Sequence, residues 1–218
     1  MPGRNLALDV YVVTSAGRVP GRGHADVALA AASGGADAVQ LRAPELSDDD
    51  LLAVARELAP YLRTRGVLFV VNDRVGVALQ SGAEGVHLGQ DDLSDLESAR
   101  GGRLVLGISV ESPDQARVAE KSGADYLGVT VWATATKPEA RPVGLEGLRA
   151  VVAATALPVV GIGGVDPSNA AQVIGAGATG VAVVSAVGAA PDPVAATRAL
   201  VELVGAEKHA RQSNEEAR

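Results

Sequence analysis

The sequence predicts a single (β/α)8 TIM barrel, on three observations. Short Val/Ile/Leu runs alternate with Ala-rich stretches of helical period, the mark of βα units around a parallel sheet. Eight such runs can be counted, and 218 residues suit one barrel while leaving no room for a second full domain. A joint also recurs, as GGADAVQL at Gly34, SGAEGVHL at Ser81, SGADYLGV at Ser122 and AGATGVAV at Ala176. Each copy reads as a glycine closing a helix in the left-handed conformation just before the chain enters a strand. An open doubly wound sheet is the alternative, and against it no G-x-G-x-x-G follows the first strand.

The strands are expected at Leu8–Val13, Ala38–Leu41, Val67–Val71, Gly85–Leu88, Leu104–Ile108, Tyr126–Val129, Val159–Ile162 and Gly180–Val184. These β-branched runs suit parallel strands buried on both faces. With 47% hydrophobic residues and only 2% aromatic, the core must be aliphatic. Helices are clearest at Asp48–Arg63, Pro113–Lys121, Leu145–Ala154, Pro167–Ile174 and Pro193–Val204. The barrel thus occupies residues 1–204, and the polar stretch 205–218 reads as a flexible tail.

Composition excludes several chemistries. The chain has no cysteine, which removes disulfides, thiolate metal sites and cysteine nucleophiles. A net charge of −7 without a basic cluster argues against a nucleic-acid surface. The apolar run Leu6 to Val13 is too short to span a membrane, contains Asp9 and lacks a signal-peptide pattern, so a cytoplasmic protein is expected. The oligomeric state stays open, a homo-oligomer included.

In such a barrel the chemistry sits on the loops after the strands. In order these carry Gln40-Leu41-Arg42, Asn72-Asp73-Arg74, His87 to Asp92, Gly107-Ile108-Ser109, Trp132 to Pro138, Gly161 to Gly164 and Val183-Val184-Ser185. The last two resemble the phosphate site common in these barrels, where bare backbone N–H groups meet the anion. Asp73 and Asp92, on neighbouring strand ends, could converge on Mg2+, which prefers one or two carboxylates plus substrate phosphates. Each carboxylate could equally serve a turn or a helix cap, and Asp91 competes with Asp92 for the role. Arg42 and Lys137 are the cations best placed for a phosphate-rich ligand. His87, between apolar neighbours, reads as a satisfied core or rim histidine rather than a general base. Trp132 reads as a loop anchor, with stacking on a flat ring as the alternative.

Taken in order, Q-x-R, V-N-D-R, H-x-G-Q-x-D, G-x-S, T-x-T-K, G-I-G-G and V-S make the chain resemble the thiamine-phosphate synthase family over nearly its whole length. The resemblance implies a transferase of thiamine biosynthesis with two small-molecule substrates. It would join hydroxymethylpyrimidine diphosphate to hydroxyethylthiazole phosphate, giving thiamine phosphate and pyrophosphate. It further implies that Gln40, Arg42, Asn72, Ser109 and Lys137 surround the pyrimidine diphosphate, with Arg42, Ser109 and Lys137 as catalytic groups. Asp73 and Asp92 would bind magnesium, while Thr134, Thr136, Gly164, Val184 and Ser185 would hold the thiazole phosphate.

Three positions depart from the family. Pro44 replaces a lysine after Q-x-R, removing one cation and leaving Arg74 as its candidate substitute. Ala133 stands where proline is usual. Glu111 stands where a histidine often follows G-x-S. A thiazole tautomerase of the same barrel family relies on that histidine and tends to lack the aspartates. The chain shows the opposite pattern, so the synthase ranks first, the tautomerase second and a silent phosphate-binding barrel third.

Overall fold

The structure is a computed structural model and describes residues 6–16, 19–134 and 140–216. Eight parallel strands close into a barrel in sequence order: β1 (Val10–Val13), β2 (Ala38–Leu41), β3 (Leu68–Asn72), β4 (Gly85–Leu88), β5 (Val105–Ser109), β6 (Tyr126–Thr130), β7 (Val159–Ile162) and β8 (Gly180–Val183). Helices α1 (His24–Ser33), α2 (Asp48–Thr64), α3 (Val75–Ser81), α4 (Leu96–Gly101), α5 (Pro113–Lys121), α6 (Gly144–Val152), α7 (Ala170–Gly175), α8 (Ser185–Gly188) and α9 (Pro193–Glu216) surround it. Closure depends on Gly180, because a Cβ there would overlap the Leu8 carbonyl oxygen where β8 meets β1.

The core has two parts. Outward-facing strand residues such as Val12, Val39 and Leu106 pack against the helices through Val27, Leu58 and Leu148. Inside the barrel a smaller cluster holds Leu8, Tyr11, Val70, Val105, Tyr126 and Val160. Side chains alternate between the faces of a strand, so the inward series climbs from apolar to polar: Leu68, Val70, Asn72 on β3, and Val105, Gly107, Ser109 on β5.

The recurring joint is structural in a second way. Gly35, Gly82, Gly123 and Gly177 all take positive φ, as their place at the joint requires. Two residues on, a polar side chain clasps the start of the preceding strand. Asp37 donates its N–H to the Val10 carbonyl and accepts the Val10 N–H on Oδ2. Glu84 does the same with Phe69, Asp125 with Leu106 and Thr179 with Val159. Every odd strand is thus tied at its base by the joint leading into the next strand.

The expected tail differs from the outcome. Residues beyond Val204 continue α9 to Glu216, and the Lys208 ammonium donates to Asp9 Oδ1 at 2.6 Å and to the Thr179 carbonyl at 3.1 Å. Glu, Lys, Arg, Gln and Ala depress hydrophobicity but favour helix, so polar composition did not mean loss of structure. Several boundaries also moved, two of them at element starts by two or three residues. β1 begins at Val10, because Leu8 lies inside the barrel below the first strand pairing. The helix expected from Pro167 begins at Ala170, because Asp166 first forms a turn closed by Ser168 and Asn169.

Candidate active site

The tops of the strands open into one cavity lined by Gln40, Arg42, Asn72, Ser109, Thr134, Gly164, Val184 and Ser185, every expected substrate-binding residue that lies among the described ones. Thr136 and Lys137 lie outside the described residues. The cavity walls also include His87, expected as a core or rim histidine, and Tyr11, Thr14, Tyr126, Gly128 and Thr130, which the strand-end reading did not select.

Arg42 is held at its backbone by a chain of polar groups. Thr14 Oγ1 accepts the Arg42 N–H at 3.2 Å and stands 2.9 Å from His24 Nδ1, while His24 Nε2 meets Glu45 Oε1 at 2.6 Å. Burial opposes ionisation of the Glu45 carboxyl, but the His24 hydrogen bond and the Arg42 charge outweigh it and lower its pKa. Glu45 is therefore an anion that anchors this chain.

The cavity floor is polar and buried. Gln40 Nε2 donates to Tyr11 Oη at 2.9 Å, and the two phenol oxygens of Tyr11 and Tyr126 lie 2.9 Å apart. His87 Nδ1 is 3.1 Å from Tyr126 Oη and its Nε2 is 2.9 Å from Ser109 Oγ. Burial pushes both phenols well above the usual tyrosine range, so both keep their protons. His87 is a hydrogen-bonded rim histidine, as its apolar neighbours suggested. Space for this layer comes from Gly107, where a Cβ would overlap the Tyr126 ring and sit 2.5 Å from His87 Nδ1.

The rest of the wall includes the turns that follow β7 and β8. Gly163 and Gly164 take φ of 87° and 63°, and a Cβ on Gly163 would lie 2.6 Å from the Trp132 carbonyl oxygen. The turn is braced by Asn169, whose Nδ2 donates to the Gly164 carbonyl at 2.8 Å. Trp132 packs against the helical core and is a loop anchor. Beside this turn the chain leaves β8 through Val184 and Ser185, so two short backbone turns share one wall.

Asp73 and Asp92 follow adjacent strands. The Asp73 N–H bonds to the His87 carbonyl at 2.9 Å, its φ is 59°, and its carboxylate accepts from the Asn72 amide. Such a conformation is uncommon outside glycine, although Asp tolerates it best. Asp92 caps a short 3-10 turn by accepting the Gly89 N–H at 3.2 Å through Oδ2 alone. Asp91 is exposed on the same turn. Among the described residues no group of three His, Asp or Glu side chains forms a metal site. Neither aspartate lines the cavity; two carboxylates after adjacent strands are the donor type of a hard cation that takes its other ligands from substrate phosphate and water. Arg74 does not replace the missing lysine, because it bonds the Leu46 carbonyl at 2.7 Å and Asp48 at 2.9 Å.

Comparison with known proteins agrees with this architecture. The family model described as thiamine monophosphate synthase matches residues 10–187. A thiamine-phosphate synthase of Natronomonas pharaonis is 50% identical over 202 residues, covering 89% of this chain and 94% of that protein. One from Moorella thermoacetica is 46% identical over 200 residues, covering 90% and 95%. A solved structure described as thiamine phosphate pyrophosphorylase from Pyrococcus furiosus superimposes with a TM-score of 0.84 at 39% identity, over 92% of this chain and 96% of that one. With Gln40, Arg42, Asn72, Ser109, Gly164 and Ser185 of those motifs around one cavity, the chain belongs to the thiamine monophosphate synthase family.

Proposed function

We propose that the chain is a thiamine-phosphate synthase that joins hydroxymethylpyrimidine diphosphate to hydroxyethylthiazole phosphate, releasing pyrophosphate. The observation that supports this reading is that one cavity brings polar residues from the ends of β2, β3 and β5 together with the glycine turn after β7 and the Val184-Ser185 turn after β8. Gln40, Arg42, Asn72 and Ser109 can meet a heterocycle with a diphosphate. The turns at Gly164 and at Val184-Ser185, with Thr134 and Thr136, can cup a monophosphate.

In the reaction the bond from the pyrimidine methylene carbon to the diphosphate oxygen breaks, and its electron pair leaves with pyrophosphate. The thiazole nitrogen forms the new bond to that carbon. The nitrogen carries no proton, so no general base is needed, which agrees with a His87 engaged in the floor. The task is to stabilise the departing anion and to align the nucleophile. Arg42 and Lys137 serve the first, the backbone turns the second. Asp73 and Asp92 would hold Mg2+, which supplies charge neutralisation to the leaving diphosphate. A cytoplasmic setting is part of the proposal, since charged substrates that do not cross a bilayer unaided would be retained there. Among the described residues no helix is long and apolar enough to cross a membrane.

The test is a coupling assay with both substrates and magnesium, read as thiamine phosphate and pyrophosphate. Isomerisation of a thiazole carboxylate phosphate instead would support the tautomerase. Tight phosphate binding without turnover would support a silent barrel.

A further inference from the structure

Four hydrogen bonds cross the barrel floor without a break, from Gln40 through Tyr11, Tyr126 and His87 to Ser109. The two ends of this chain line the cavity, and so do its inner members. Its length and its direction both carry information.

A neutral hydroxyl has one proton to give. Tyr11 Oη accepts from Gln40 Nε2, so its own proton goes to its other neighbour, Tyr126 Oη. With a neutral imidazole, Tyr126 then gives its proton to His87 Nδ1 and the ring proton stands on Nε2, facing Ser109 Oγ. The Ser109 hydroxyl proton is then directed to the cavity, while Gln40 offers its carbonyl oxygen there. Turning the Gln40 amide over reverses every bond. Gln40 then offers its NH2 group, and Ser109 offers a lone pair. Breaking the sequence midway would strand a donor or an acceptor in a buried site, which is costly.

We propose that this chain is a polarity relay: Gln40 and Ser109 always present opposite hydrogen-bonding characters to the ligand, and Tyr11 and Tyr126 are positioning residues that enforce it. The inference rests on the synthase reading, in which the ligand there is an aminopyrimidine. That heterocycle has both characters, an amino group that donates and ring nitrogens that accept. A ligand offering acceptors alone satisfies one end of the relay only. Gly107 belongs to the same device, because its missing side chain is the space that Tyr126 and His87 fill. A backbone bond helps to hold the Ser109 end, with Gln90 Nε2 donating to the Ser109 carbonyl at 2.6 Å.

The test is calorimetric binding of two probes, hydroxymethylaminopyrimidine monophosphate and its analogue with hydrogen in place of the amino group, with hydroxyethylthiazole phosphate as the control ligand. Tyr11→Phe and Tyr126→Phe are each expected to reduce the preference for the amino compound by about tenfold. Affinity for the thiazole phosphate should stay within about twofold, since its turns make no bond to the relay. The double variant should lose no more preference than either single one, because a relay broken once is broken. Two single variants allow the test even if one of them does not fold. Full preference retained in the folded variants, or losses that add in the double variant, would overturn the relay alone. Equal weakening of all three ligands would reduce the tyrosines to a structural role and would also overturn it. If the unaltered protein binds neither pyrimidine, the synthase reading fails first and takes the relay with it.

Discussion

At Gly107 the space of one methyl group decides whether the cavity floor can form. A Cβ there overlaps the Tyr126 ring and crowds His87, both wedged inside the barrel. Gly107→Ala should therefore destabilise the fold by about 1–3 kcal/mol, the usual cost of overpacking a tight core, as measured by urea denaturation. Arg42 is a different case, because its side chain borders the cavity while its backbone is pinned through Thr14. Arg42→Ala should leave the melting temperature nearly unchanged and lower kcat by about a hundredfold, the scale of losing one donor to a developing anion. Asp92→Ala and Lys137→Ala should also reduce turnover strongly, and near-normal rates in both would refute their assignment. The cavity-rim residues were legible in the sequence because polar groups at strand ends stand out against apolar runs. Tyr11 and Tyr126 were not, since each sits within an apolar strand where nothing in one sequence distinguishes an inward phenol from core filling. Thr14 and His24 were hidden for another reason: their meaning lies in contacts to Arg42 and Glu45 that only the closed barrel creates.

Among the elements, the recurring joint does the most. Its glycine was readable as a left-handed helix terminator, and all four copies adopt positive φ. Its polar residue was not readable as a clasp, because the partner lies on the strand before the intervening helix. Asp125→Ala would leave the Leu106 N–H without its carboxylate partner, at a cost of about 1–3 kcal/mol on unfolding in denaturant. Thr179→Val should cost less, since the hydroxyl bond to Val159 is longer at 3.2 Å and neutral. Strand positions were legible to within about two residues, because β-branched runs bounded by glycine leave little choice. Helix α1 was harder, being alanine-rich and apolar on most sides, so no stripe of helical period marks it. The end of α9 was misread because charged helix formers look the same in a helix and in an unstructured tail.

For the molecule as a whole, one barrel mouth is proposed to hold two phosphorylated heterocycles side by side and let a diphosphate leave. The order of short motifs around the barrel made this readable, since every loop after a strand faces the same mouth. Magnesium stands apart from the rest, because the proposed pair of carboxylates would become a complete site only with substrate oxygens. Chelation of magnesium should abolish turnover while leaving thiazole phosphate affinity unchanged by calorimetry, as the turns after β7 and β8 that line the cavity include no carboxylate. The most direct measurement is the coupling reaction itself, with purified protein, both substrates and magnesium. Thiamine phosphate and pyrophosphate are expected in equal amounts, formed only when magnesium is present. Absence of both products, from folded protein that has been given both substrates and the metal, would contradict the synthase reading.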